Sequence, residues 1–369
     1  MLTRVVDDVE TLEQLAPGWD ALAVTCRRPR STPALTLAWY RHALPSGALI
    51  RAVVVTDGDD VIGTAPFHVV RTRFGLCRYE LATPVLFGVE PLFAPGREEM
   101  VAAAIGLALA RAEPVPDIVS LDSLPQGSSV PSLVRAGWPR PHPMLEARHS
   151  FPVPQVLLDE GGFEGWFGRR SKAFRKNFRS DQRKLLAAGF EHRVSVEAVD
   201  IVERLPDFRR LYESRRASRG GGGPNFDDKF IAVVVEAAEK LSGSGRFRLA
   251  TIERPGEVIA ADLIVSAGGH TSAWFGGFDE AWSQLSPSFE CIVLSIQDAA
   301  QVGDTVYDLG AGGESYKYQF TRDEAMFERS LLIRRGLRPL HSPAQILPYR
   351  ARQQMSRIIG RMTRSSAQD

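Results

Sequence analysis

The segment YDLGAGGESYKYQF, Tyr307 to Phe320, sets two carboxylates, an ammonium and several phenols around a glycine turn. Asp308 or Glu314 can take a proton from a reacting group, directly or through a water. Lys317 can place positive charge on an oxyanion or a phosphate, and one well-aimed donor of that kind contributes about 2.7–4 kcal/mol to a transition state. Tyr316 stands beside it. Gly310, Gly312 and Gly313 let the backbone approach a ligand closely. The competing structural reading is a surface ion pair between Glu314 and Lys317, worth about half a kcal/mol.

A second candidate is WFGRRSKAFRKNFRSDQRKL, Trp166 to Leu185, with eight Lys or Arg residues against the single acid Asp181. Phe163, Phe167, Phe174, Phe178 and Leu185 recur at helical steps, so one helix is expected over 164–188. Arg169, Lys172, Lys176, Arg179 and Arg183 form a second stripe, with Arg175 between them. Lys172 falls about 160° around the helix from Phe174, facing away from the core. Like charges at these spacings cost about 0.2–0.5 kcal/mol per pair. The stripe is either a solvated face or a bed for phosphates.

Ser286-Pro287 reads as an N-cap followed by the first helical residue, and Ser288 opens the helix it starts. The N–H groups there can hold a phosphate or carboxylate. Other chemistries find no support. The histidines show no HExxH or metal spacing, there is no GxSxG, and Cys291 falls on a buried helix face. No metal is expected. SRRASRGGGGPNF (214–226) is read as a mobile lid or a plain linker.

These residues need elements to place them, and one pattern of elements runs twice. IRAVVVTDGDDVIGTAPFHVV (50–70) and FRLATIERPGEVIAADLIVSA (247–267) both read as β-hairpins with a tight turn. Helix-like segments precede each; a further strand, an amphipathic helix and another strand follow. The fold expected is α/β (α+β), two tandem domains, each a mixed, mostly antiparallel sheet flanked by helices. The seam is placed at LEARHSFPVPQVLLDEGG (145–162). Domains of 1–150 and 151–335 follow, with a basic tail at 336–369. In the first half VSLDSLPQGSS occupies the place of the glycine turn without the Tyr-Lys pair, so that half shapes a cleft or buttresses the fold.

Lys plus Arg number 45 and Asp plus Glu 44, which removes any global electrostatic case for a polyanionic partner. Cys26, Cys77 and Cys291 are far apart and form no disulfide framework. An acidic N-terminus argues against a signal peptide, and no apolar run is long enough to span a bilayer. A cytoplasmic protein is expected.

The C-terminal half resembles the GNAT-like acyltransferases of the cellulose-biosynthesis or BioF type. These are similar in turn to the FemAB-type aminoacyl transferases, built from two tandem GNAT-like domains. The likeness rests on the strand ending in WFGGFD, the LSPS helix start, the strand leading into YDLGAGGESYKYQF, and the RSKAFRKNFRSDQRKLLAAG helix. It implies an N-acyltransferase, most simply acetyl-CoA-dependent, acting on an amine of a sugar, amino acid or secondary metabolite. It implies an electrostatic catalytic role for Lys317, with Glu314 or Asp308 handling the proton. Substrate or cofactor contact is implied for Trp274, Phe275, Gly276, Ser286, Ser288, Gly312 and Gly313, and for Lys172, Arg175, Lys176 and Arg179. The Q/R-x-x-G-x-G/A turn that cradles coenzyme A in ordinary GNAT enzymes is missing before Ser286. An aminoacyl-tRNA therefore stays an alternative to acyl-CoA as the phosphate-bearing donor. A non-catalytic binding module in polysaccharide assembly is the reading from a different class.

Overall fold

The computed structural model describes residues 1–72, 75–83, 89–158, 161–218 and 226–335. The glycine run after Ala217 and the basic tail lie outside the described residues, apart from a few at the edges of the former. The chain opens with β1 (Leu2–Val6), α1 (Val9–Thr25) and α2 (Pro33–His42), then a meander of β2 (Leu49–Asp57), β3 (Asp60–Arg71) and β4 (Cys77–Leu81). The short β5 (Leu92–Phe93), α3 (Glu98–Ala110), β6 (Ile118–Pro125), α4 (Val130–Gly137) and β7 (Met144–Leu157) complete the first run. Next come α5 (Gly162–Gly168), α6 (Lys172–Ala187), β8 (Glu191–Ser195), α7 (Ala198–Ser218) and α8 (Asp228–Leu241). The second meander is β9 (Phe247–Arg254), β10 (Glu257–Ala267) and β11 (His270–Phe278), followed by α9 (Pro287–Gln301), β12 (Val306–Asp308) and β13 (Glu324–Ile333).

Both expected hairpins form. Continuous apolar runs bury both faces of β2 and β3, and Asp57 pairs with Asp60 across the turn. Pro255-Gly256 closes the second, with Gly256 at φ +79°.

The sheet order is β1-β2-β3-β4-β6-β13-β7-β12-β11-β10-β9-β8. Read inward from either end it is the same. Four strands run antiparallel, a parallel joint follows (β4 with β6, β11 with β12), and one antiparallel strand closes the half. The closing strands are exchanged: β13, last in the chain, pairs with β6, while β7 pairs with β12. β7 and β13 then zip together from Met144↔Ile333 to Pro154↔Glu324.

Most of the segment read as the seam, 145–162, is strand: β7 runs through Met144–Leu157. Pro152 and Pro154 read as breakers because they cannot donate. Their carbonyls are what β7 uses on this edge, accepting from Gly312 N at 2.8 Å and Leu309 N at 3.0 Å.

The main core runs through both halves. Trp19, Leu35 and Trp39 of the first share one buried cluster with Phe230, Phe247, Leu263 and Trp274 of the second. A second cluster gathers Trp166, Phe167, Phe178 and Phe320 under α9, with Phe174 and Phe289 packed against it.

The single basic helix expected over 164–188 is two. α5 ends at Gly168 and α6 starts afresh at Lys172, capped by Ser171 Oγ, which accepts from Phe174 N at 3.1 Å. The aromatic spacing hid the break because both helices turn their rings into the same cluster.

Candidate active site

The parallel joint between β11 and β12 is short. Only His270–Ser272 and Val306–Asp308 pair; beyond them β11 continues to Phe278 while β12 gives way to the glycine turn. Two strands that part in this way leave a gap in the sheet, open on the β11 side along Ala273–Phe278.

Asp308 sits where the strands part, essentially buried. Its Oδ2 lies 3.1 Å from Arg30 Nη2, and its Oδ1 accepts from Gly310 N at 2.6 Å. Burial pushes its carboxyl up, but Arg30, His270 and the Gly310 N–H outweigh that and hold it below the usual carboxylate range. It is a fixed anion that pins the turn.

Lys317 is buried, 4% exposed. Its Nζ donates to the carbonyls of Gly310 at 2.7 Å, Ala311 at 3.0 Å and Gly312 at 3.2 Å, with Glu314 Oε2 at 3.0 Å. All three ammonium protons are committed, so the side chain shapes the turn from within. Gly312, at φ +106°, must lack a Cβ, which would come within 2.7 Å of Glu314 Oε1. Gly313 packs beside Pro152 and Tyr318. Glu314 remains partly open to solvent.

Tyr316 meets Arg215 of α7, whose guanidinium lies 5.7 Å from its ring centroid. Arg215 Nη1 also donates to the Gly276 carbonyl at 2.9 Å, on the edge of β11 that β12 has left. Gly276 and Gly277 are tightly constrained. A Cβ on Gly277 would lie 2.6 Å from the α7 backbone at Leu211, and one on Gly276 would lie 1.8 Å from Asp262 Oδ1. Trp274 and Phe275 are core residues, packed on Phe230 at 5.6 and 5.2 Å between ring centroids. Direct ligand contact gives way there to support of β11, because the bulge between Leu263 and Ile264 helps pack both rings toward α8.

At the start of α9 the capping expectation is corrected. Ser286 adopts a left-handed φ of 51° and its hydroxyl makes no cap bond; Pro287 does take the first helical position. Ser286 and Ser288 are half-buried. The Phe174 and Phe289 rings meet at 4.9 Å, which sets the first turn of α6 beside the first turn of α9. Lys172 on that turn and Lys176 one turn on are exposed, and among the described residues neither has an acidic partner. Arg175 instead bonds back to the Gly168 carbonyl, and Arg179 lies over the Phe167 ring at 5.6 Å.

Three acids and bases escaped the reading of the sequence. Arg30 gave no local signal. Asp262 is the lone charge in the apolar run VIAADLIVSA, a legible anomaly. Glu290 interrupts the buried face of α9; it is fully buried, neither carboxylate oxygen has a hydrogen-bond partner, and burial, then Asp181, push it up to about 9. Among the described residues no group of His, Cys, Asp and Glu is placed to hold a metal, and no helix is long and apolar enough to cross a membrane.

Residues 172–318 match the family model of the acetyltransferase (GNAT) domain. Over that stretch the chain is similar to the GNAT-type acetyltransferase domain. The coarse activity is that of an acyl-transferring enzyme. The fold extends over the whole length of solved structures. FemX covers 92% of this chain and 98% of its own, at 11% identity and a TM-score of 0.62. L-PGS from Bacillus licheniformis covers 91% and 96%, at 10% identity and a TM-score of 0.57. The C-terminal domain described as that of a lysylphosphatidylglycerol synthetase from Agrobacterium fabrum covers 89% and 93%, at 10% identity and a TM-score of 0.58. No curated protein matches the chain.

Proposed function

We propose that the chain is an N-acyltransferase that moves an acyl group from a phosphate-bearing donor, most simply acetyl-CoA, to the amine of a small molecule such as a sugar or amino acid. The reading is carried by the contact of the Phe174 and Phe289 rings, which brings the start of α6, with the exposed Lys172, next to the start of α9, the helix that follows the β11 strand from which β12 parts. A helix start and two unpaired ammonium groups favour phosphate, while the gap admits the acyl arm between two strand edges. Residues 151–335 form the catalytic domain and 1–150 a degenerate partner, which contributes Arg30 to the site. The basic tail, 336–369, lies outside the described residues. The compartment is the cytoplasm.

In this reading Lys317 acts by holding the carbonyls of the turn, so that Gly312 and Gly313 present a fixed backbone to the substrate. Glu314 and Tyr316 border the acceptor side. An aminoacyl-tRNA is the second reading of the donor, supported by the exposed basic residues of α6 and the missing glycine-rich turn. Thermal denaturation with acetyl-CoA and with tRNA separates them. Acetyl-CoA raises the Tm on the first reading, and Lys172→Glu with Lys176→Glu abolishes the shift. Stabilisation by tRNA alone, lost steeply with salt, decides for the second.

A further inference from the structure

We propose that Asp262 is the catalytic base, accepting the ammonium proton of the acceptor amine. The inference rests on the acyltransferase reading above and adds the residue that makes its nucleophile.

Asp262 lies on β10 between two paired strands, opposite Ala250 of β9 and Gly276 of β11. A carboxylate in the middle of a sheet is costly unless it is paired or used. Its Oδ2 is enclosed and has no hydrogen-bond partner among the described residues. Yet the residue keeps partial exposure, which a central-strand position allows only if an opening reaches it. The missing side chain of Gly276 leaves room for the carboxylate to extend toward the β11 edge. A Cβ there would sit 1.8 Å from Oδ1, so the carboxylate lies across the glycine at the wall of the gap.

Among the described residues Asp308 is committed to Arg30 and Glu314 to Lys317, and Glu290 is sealed inside the core. The charged and titratable groups facing Asp262 are Arg215 of α7, Cys291 of α9 and Tyr307 of β12. Burial pushes its carboxyl up to about 6, with Arg215 and then Cys291 pulling the other way. It is therefore ionised at neutral pH and close enough to neutrality to hold a proton briefly.

The proton passes from R–NH3⁺ to Asp262. The neutral nitrogen attacks the acyl carbonyl carbon, the C–N bond forms, and the bond to the donor's sulfur breaks. The second proton on nitrogen leaves with the thiolate as CoA–SH, and Asp262 releases its own to water.

Amine-dependent CoA release from acetyl-CoA, with glucosamine and lysine as acceptor probes, tests the assignment between pH 5 and 9. The wild-type kcat/KM should climb as pH rises through about 6. Asp262→Asn should lower kcat by about 10²–10⁴-fold and abolish that limb, with the KM for acetyl-CoA within about two-fold and the acetyl-CoA thermal shift intact. Asp262→Glu should recover part of the rate with a displaced limb. Wild-type protein that turns over without a limb near pH 6, or an Asn variant of near wild-type rate, overturns the assignment alone. Wild-type protein neither stabilised by acetyl-CoA nor active on either amine overturns the acetyl-CoA reading, and the base with it.

Discussion

Lys317 shows how a side chain legible as chemistry can be spent on architecture. The spacing of Glu314 and Lys317 pointed to an electrostatic catalyst ahead of a surface ion pair; only burial and the three carbonyl contacts distinguish a third use. Lys317→Met strips the turn of its central donor and leaves the carbonyls unsatisfied. We expect a loss of about 3 kcal/mol in urea unfolding. Glu290 tests the opposite case. Its folded-state carboxyl sits near 9 against an ordinary 4.5, so the folded chain holds a proton there that the unfolded chain releases. The stability this proton contributes is full below pH 4.5 and drains away as pH rises toward 9. Glu290→Gln should be nearly neutral at pH 4.5 and stabilising by about 2–4 kcal/mol at pH 8, read as a flattened dependence of Tm on pH.

At the scale of elements, local pattern placed the two hairpins, α9 and the strand before the glycine turn. It failed where two signals coincided. Phenylalanines at helical spacing run through Arg169–Ser171, and the cap that splits α5 from α6 is a single serine. The same limit applies to α3 and α4, whose crossing depends on glycine. A Cβ on Gly106 would lie 1.9 Å from Val134 O, and one on Gly137 would lie 2.0 Å from Ala103 O. Gly106→Ala should improve intrinsic helix propensity by about 1 kcal/mol yet cost the protein about 2–3 kcal/mol net, because the backbones must separate. Thermal unfolding followed by circular dichroism reads the sign directly. Alanine at Gly106 that stabilises would mean the crossing is looser than these distances.

For the whole molecule, the halves are bound by exchanged strands, a shared core and charges that cross between them. Arg246 holds Asp20 through two contacts of 2.6 and 3.1 Å, and Arg30 holds Asp308. The Arg30 pair reaches into the site, with Asp308 2% exposed on its side chain. Asp308 is depressed in the folded state, so its contribution is present above pH 3.8 and is lost as pH falls through the folded value. Arg30→Ala leaves that carboxylate buried and unpaired. We expect a loss of about 3–5 kcal/mol at pH 7, a smaller loss near pH 4, and acid unfolding beginning at higher pH than in wild type. An equal loss at both pH values would show that Arg30 acts by packing rather than charge.

The sequence by itself determined the element types, the doubled order of hairpin, helix and strand, and the addresses of the glycine turn and the basic segment. These are local matters: alternation, helical period and turn chemistry act within a few residues. Tertiary structure alone decided that β7 and β13 trade places, that Lys317 faces inward, that Arg30 answers Asp308 from the other half, and that the Asp262 carboxylate lies across Gly276. Each depends on residues far apart in the chain, and burial, which sets what a charge can do, exists only once they meet.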